Sequence, residues 1–212
     1  MACAGSGEPP PRIVCGGAAL PSLSADAHTA FWLEREQVLL RDVVTGAAPQ
    51  QATSVRLAWD ADEMRVLFCA TDEHIHATLT ARDAPLYTEE VVEVFLDPVG
   101  DGECYFEIEV NPLNAVLDLV LRRNRSGYVK DVSWNCEGLR THVRREAAAW
   151  SAELSIPFRS LAATAPEPGE TWRANFFRID RPPGIPRELS AWSPTGLANF
   201  HMPERFGIIE FA

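Results

Sequence analysis

The chain has 212 residues, 46% of them hydrophobic, which is enough to bury one substantial core in a single domain. A formal charge of −11 and a pI near 4.9 argue against a nucleic-acid backbone or an anionic membrane as partner. No apolar run approaches the roughly 20 residues of a membrane-spanning helix, and the five cysteines show no CxxC pair and suggest neither a disulfide framework nor a zinc motif.

Residues 1 to about 25 are rich in Pro, Gly, Ala and Ser and read as a flexible tail and lead-in loop, leaving 26–212 as the domain. MACAGSGEPPPR lacks the basic and apolar regions of a secretory signal, so the sequence as written is expected in the cytosol, or outside the cell if a leader has been lost. In AFWLEREQVLLRDVVTG, Phe31, Trp32 and Leu33 predict a plug at one end of a core. TSVRLAW sets Val55, Leu57 and Trp59 on one face; WDADEM turns the chain and MRVLFCA returns as a hairpin.

VVEVFLD (91–97), CYFEIEVN (104–111) and AVLDLVL (115–121) follow, joined by PVGDGE and PLN. LRTHVRRE (139–146) and AWSAELSIP (149–157) make another hairpin, and FRSLAA suggests one helical turn. WRANFFRID (172–180) and RFGIIEF (205–211) complete about nine short strands, the pattern of an all-β antiparallel sandwich or barrel. RPPGIPREL (181–189) is too rich in proline for a central strand and reads as an ordered surface loop.

Within YFEIEVN the alternation is nearly faultless. Phe106, Ile108 and Val110 point to one face; Tyr105, Glu107, Glu109 and Asn111 point to the other. Like charges one pleat apart call for solvent, a cation or a ligand.

Five blocks in order resemble the family 9 carbohydrate-binding modules: VRLAWDADEMRVLFCATD, APLYTEEVVEVFLDPVGDGECYFEIEVNP, WSAELSIPFRSL, WRANFFRID and AWSPTGLANFHMPERFG. The resemblance covers about residues 52–211 and implies a DOMON-like β-sandwich with a sugar bound at one face or edge; it does not imply catalysis, and no catalytic residue is expected. It places one sugar-gripping ring on Tyr87 and the other on Phe200, where the enzyme-linked modules carry tryptophans. It also puts Glu93, Asn111 and Glu109 at polar site positions, Glu109 standing where those modules carry arginine. The family implies a structural Ca²⁺ at most, and no other cofactor is expected.

Sugars offer C–H faces to aromatic rings and a belt of hydroxyls to acids, amides and guanidinium groups. Arg178 and His201 could add donors, and Trp192 a third ring, although Trp192 and Phe200 taken alone are more often core than platform, by roughly two to one; the motif position brings Phe200 to about even and leaves Trp192 mostly structural. An internal Glu93–Arg178 ion pair is the strongest competitor to a ligand role for Glu93, and Glu107 reads as part of a solvated sheet face. His74 and His76 lack a third metal ligand, DPVGDGE lacks the EF-hand spacing, and a haem held by His201 or Met202 would need Met64 as partner.

An enzyme using Glu93 or Glu109 as acid or base is the alternative from another class, but neighbouring strand residues approach a substrate from one side, whereas glycosidase pairs flank it. An interaction scaffold that binds no sugar is the third reading.

Overall fold

The computed structural model describes residues 9–162, 164–181, 184 and 186–212. Fourteen strands run through the described residues. The first five are β1 (Arg12–Gly17), β2 (Gln37–Leu39), β3 (Arg41–Asp42), β4 (Thr53–Trp59) and β5 (Glu63–Thr71). Then come β6 (Val91–Asp97), β7 (Cys104–Val110), β8 (Val116–Asn124), β9 (Gly127–Asp131) and β10 (Arg140–Arg145). The last four are β11 (Ala149–Pro157), β12 (Thr171–Asp180), β13 (Glu188–Ala191) and β14 (Gly207–Phe211).

They form a sandwich of two sheets. The first has the order β1-β14-β12-β6-β7-β8-β9, and the second β10-β11-β5-β4. Strand β13 extends the first sheet beside the C-terminal half of β12, and β2 flanks β4. Every pairing is antiparallel except those of β1, which lies parallel to both of its neighbours. Its residues Arg12–Cys15 pair with β14 and Gly16–Gly17 with β4, so one short strand joins the two sheets.

The stretch expected to be a tail therefore contains a structural strand. Its buried residues Ile13 and Cys15 alternate over only two positions, between flanks of proline and glycine, so the periodic signal is too short to read.

Period-two patterning explains the inner core. Val92, Val94, Leu96, Phe106, Ile108, Val110, Ala174 and Phe176 of the first sheet face Val55, Leu57, Val66, Phe68, Ala152, Leu154 and Ile156 of the second. Phe68 and Phe176 meet edge to face across the layers at 6.0 Å. The Trp192 ring is buried against Phe176 and closes over β14; a Cβ on Gly207 would come within 2.4 Å of it, so only glycine admits that ring. Trp192 is a core residue.

The helix α1 (Ala30–Leu33), capped by Thr29, buries Trp32 against Ala58 and Leu67. These lie on the outer face of the second sheet, not at an end of the core as the sequence suggested, and Leu33 is exposed. Residues 182, 183 and 185 of RPPGIPREL lie outside the described residues, while its last two, Glu188 and Leu189, begin β13.

One feature sets up function. The outer face of the first sheet is also apolar and buried: Val91, Phe95, Tyr105, Leu117, Leu119, Leu121, Phe177 and Ile179 form a second core. Its roof is supplied by Leu86 from the segment before β6, and by Phe200 and Phe206 from the segment before β14. Any polar group on this face sits beneath that roof.

Candidate functional site

Glu93 on β6 and Glu109 on β7 are cross-strand partners, and Glu107 stands two residues along β7, opposite Phe95. All three carboxylates therefore rise from the roofed face. Glu93 and Glu107 are each 2% exposed and Glu109 is 0% exposed. The solvated face expected for Glu107 is thus corrected: the covering loops, whose paths no local pattern revealed, take it out of water.

Burial pushes the Glu93 and Glu109 carboxyls well above the usual carboxylate range, and the charges of their acidic neighbours push the same way. Glu107 is also raised by burial, with the ammonium of Lys130 opposing the shift from 3.7 Å.

The roof over these acids forms a cleft of about 200 Å³. Tyr87, Phe200, His201 and Lys130 line it together with Glu93, Glu107 and Glu109. Tyr87 belongs to the single turn Leu86–Thr88, whose buried Leu86 anchors the backbone and leaves the Tyr87 ring 47% exposed. Phe200 is 9% exposed and stacks on Phe177 with centroids 4.2 Å apart and ring planes 14° from parallel. One ring is free to meet a ligand; the other is braced from behind.

His201 is fixed on three sides. Its ring stacks on Phe95 at 5.4 Å, its Nδ1 lies 3.0 Å from the Tyr105 hydroxyl, and the same nitrogen is 3.8 Å from Glu107. Burial, helped by the positive charge of Lys130, holds His201 down at about 4, so the ring is neutral at pH 7. Burial raises the Tyr105 phenol, which keeps its proton and shares a hydrogen bond with Nδ1.

Two residues assigned to the site by sequence lie elsewhere. Asn111 stays on the roofed face but pins loops: its Nδ2 donates to the Leu79 carbonyl, and its Oδ1 accepts from the backbone N–H groups of Leu113 and Ala115. Arg178 points to the opposite face. It pairs in register with Val92, bonds Asp72 at 3.0 Å and Asp180 at 3.3 Å, and donates to Thr53 and the Thr71 carbonyl. The expected competitor, a Glu93–Arg178 pair, does not form, because adjacent strand positions face opposite sides.

The other polar groups singled out by sequence also have local roles or none at this cleft. Asp97 closes the acidic turn by accepting from the Gly100 and Gly102 N–H groups. His74 and His76 are exposed and follow the end of β5. Met64 lies in the inner core, across the first sheet from His201.

Sequence reasoning missed the polar lining residues Arg187 and Asn199, and above all Lys130. It lies on β9 opposite Leu121, a residue of the roofed face, but β9 is too short and polar to stand out as a strand. Larger clefts of about 570 and 530 Å³ open at the loops around Pro194 and Pro186. Neither combines aromatic rings with buried carboxylates.

The sequence profile described as "Carbohydrate family 9 binding domain-like" matches residues 25–212. No curated protein matches the chain significantly. Among solved structures, a family 9 carbohydrate-binding module from Caldicellulosiruptor kristjanssonii in complex with glucose is similar at a TM-score of 0.73 and 18% identity, covering 95% of this chain and 96% of that one. The complex of a family 9 module from the same organism with cellotriose gives 0.72 and 18%, covering 95% and 93%. A protein from Bacteroides uniformis ATCC 8492 gives 0.75 and 18%, covering 96% and 100%.

Proposed function

The chain belongs to the carbohydrate family 9 binding domain-like family, and on that premise we propose that it is a non-catalytic binder of a terminal sugar or short oligosaccharide. The ligand lies in the cleft between Tyr87 and Phe200. The observation that carries this reading is the meeting of an exposed tyrosine ring, a braced phenylalanine and buried carboxyl groups in one cleft. The similar structures with glucose and cellotriose support it.

Each group has a role that sugar chemistry explains. Tyr87 and Phe200 take the C–H faces of a pyranose, where the gain is apolar burial together with the attraction of polarised C–H to ring faces. Glu93, Glu107 and Glu109 take hydroxyls, accepting when ionised and donating when protonated. Lys130 donates from one side, and the neutral His201 ring offers Nε2 to a hydroxyl without adding charge at neutral pH. The carboxyls of Glu93 and Glu109 rise side by side from adjacent strands, an arrangement that suits hydroxyl recognition better than the opposed pair of a glycoside hydrolase.

Calorimetric titration with glucose and cellotriose tests the reading. Tyr87→Ala is expected to weaken binding about five- to thirty-fold, corresponding to roughly 1–2 kcal/mol for one lost stacking face, while melting stays near the wild-type value. If no sugar in a broader glycan screen binds the wild type, or if Tyr87→Ala binds as tightly as wild type, the assignment fails.

A further inference from the structure

We propose that Glu93, Glu107 and Glu109 form a divalent-cation site on the floor of the cleft, with Ca²⁺ as the best-suited ion. Carboxylate oxygens from the three residues lie within 4.8 Å of one another. Oxygens bound to one Ca²⁺ at about 2.4 Å span up to roughly that distance, whereas the shorter bonds of Mg²⁺ demand a tighter set. Three carboxylates with no nitrogen or sulfur among them select a hard cation over zinc or copper.

The second observation concerns what these oxygens lack. Among the described residues neither oxygen of Glu109 meets a hydrogen-bond donor other than the neighbouring Glu107 carboxyl, although the residue is wholly buried, and Glu93 Oε1 and Glu107 Oε2 are without a hydrogen-bonded donor as well. A buried carboxylate left unpartnered is strongly unfavourable, so such a group either takes a proton or meets a positive charge.

A neighbouring cluster shows how the same chain meets this need elsewhere. Asp72, Glu90 and Asp180 also bring three acids together, but Arg178 lies among them, bonded to Asp72 and Asp180. The cleft triad has no equivalent guanidinium. Lys130 is 3.7 Å from Glu107 Oε2, and the neutral His201 is 3.8 Å from the same oxygen, with its Nδ1 engaged by Tyr105. Arg187 lines the cleft without making an ion pair to the triad among the described residues.

Ca²⁺ takes six to eight oxygens, and three carboxylates leave coordination positions directed into the cleft. Resting on the carbohydrate reading, those positions would accept vicinal hydroxyls of the bound sugar, so the ion would bridge protein and ligand.

The test starts from protein stripped with EDTA and titrated calorimetrically with Ca²⁺, Mg²⁺ and Tb³⁺, the last also followed by luminescence. One equivalent of Ca²⁺ is expected to bind more tightly than Mg²⁺ and to raise the melting temperature. Both Glu109→Gln and Glu93→Gln are expected to weaken Ca²⁺ binding about tenfold or more. Asp101→Asn, in the acidic turn, is expected to leave it unchanged. Two cleft variants are used so that one misfolded protein does not decide the outcome.

Absence of Ca²⁺ binding at millimolar concentration, with the acids simply holding protons, would overturn the proposal. So would Ca²⁺ binding that survives in both cleft variants. A sugar titration with and without EDTA separates the two readings. Sugar binding without any cation binding overturns the ion and leaves the carbohydrate assignment standing, whereas cation binding without sugar binding does the reverse.

Discussion

At the scale of single residues, the two rings of the cleft are not equivalent. Tyr87 is half exposed on an anchored turn, while Phe200 is nearly buried and stacked on Phe177. Phe200→Ala therefore removes the proposed ligand platform and a piece of the second core together. It is expected to lower stability by about 3 kcal/mol, the usual scale for a large-to-small change of a packed phenylalanine, and to weaken sugar binding as well. Urea denaturation beside sugar titration checks this; an unchanged denaturation midpoint would show that Phe200 contributes nothing to the roof.

Glu90 gives a residue-scale prediction about pH. Its buried carboxyl accepts from the His76 N–H and faces Asp72 and Asp180, with Arg178 bonded to both of those acids. Burial, with help from the acidic neighbours, raises it from 4.5 to about 8. Between these values the folded chain holds a proton that the unfolded chain releases. The contribution to stability is therefore complete below about 4.5 and lost as pH rises through about 8. Melting in EDTA should fall across that window, by at most about 1.4 kcal/mol of stability per pH unit from this group. Glu90→Gln should flatten the slope; an unaltered slope would show that Glu90 is ionised throughout.

At the scale of elements, legibility followed periodicity. Strands β6 and β11 match the expected 91–97 and 149–157, and the β4–β5 hairpin forms as predicted, because each alternates over several residues against a continuous core. Strands β1, β2, β3, β9 and β13 have two to six residues and offer too few alternations to register. The face to which each acid of YFEIEVN belongs was readable from parity alone. Whether that face was wet was not. The answer depends on Leu86, Phe200 and Phe206, which come from segments distant in sequence and convert an exposed face into a second core. The same limit applies to Arg178: its chemistry pointed to an acid, but only strand register shows that the acids are Asp72 and Asp180.

At the scale of the whole molecule, the sandwich has two apolar layers and assigns them different work. The inner layer holds the sheets together, while the outer layer of the first sheet supports a roof with a cleft in it. Buried acids are costly to the fold; Arg178 bonds Asp72 and Asp180 on the inner side, whereas among the described residues the three acids of this cleft have no bonded guanidinium. The proposed occupant of this cleft is a carbohydrate. Amide chemical shifts of ¹⁵N-labelled protein, followed by NMR during titration with cellotriose, test it directly. Saturable shifts are expected at the cleft residues Tyr87, Glu107, Lys130, Asn199 and His201, with a separate groove of about 280 Å³ on the second sheet, lined by Cys69, Ala149 and Trp150, unmoved. Shifts centred on that groove, or no shifts at saturating sugar, would contradict it.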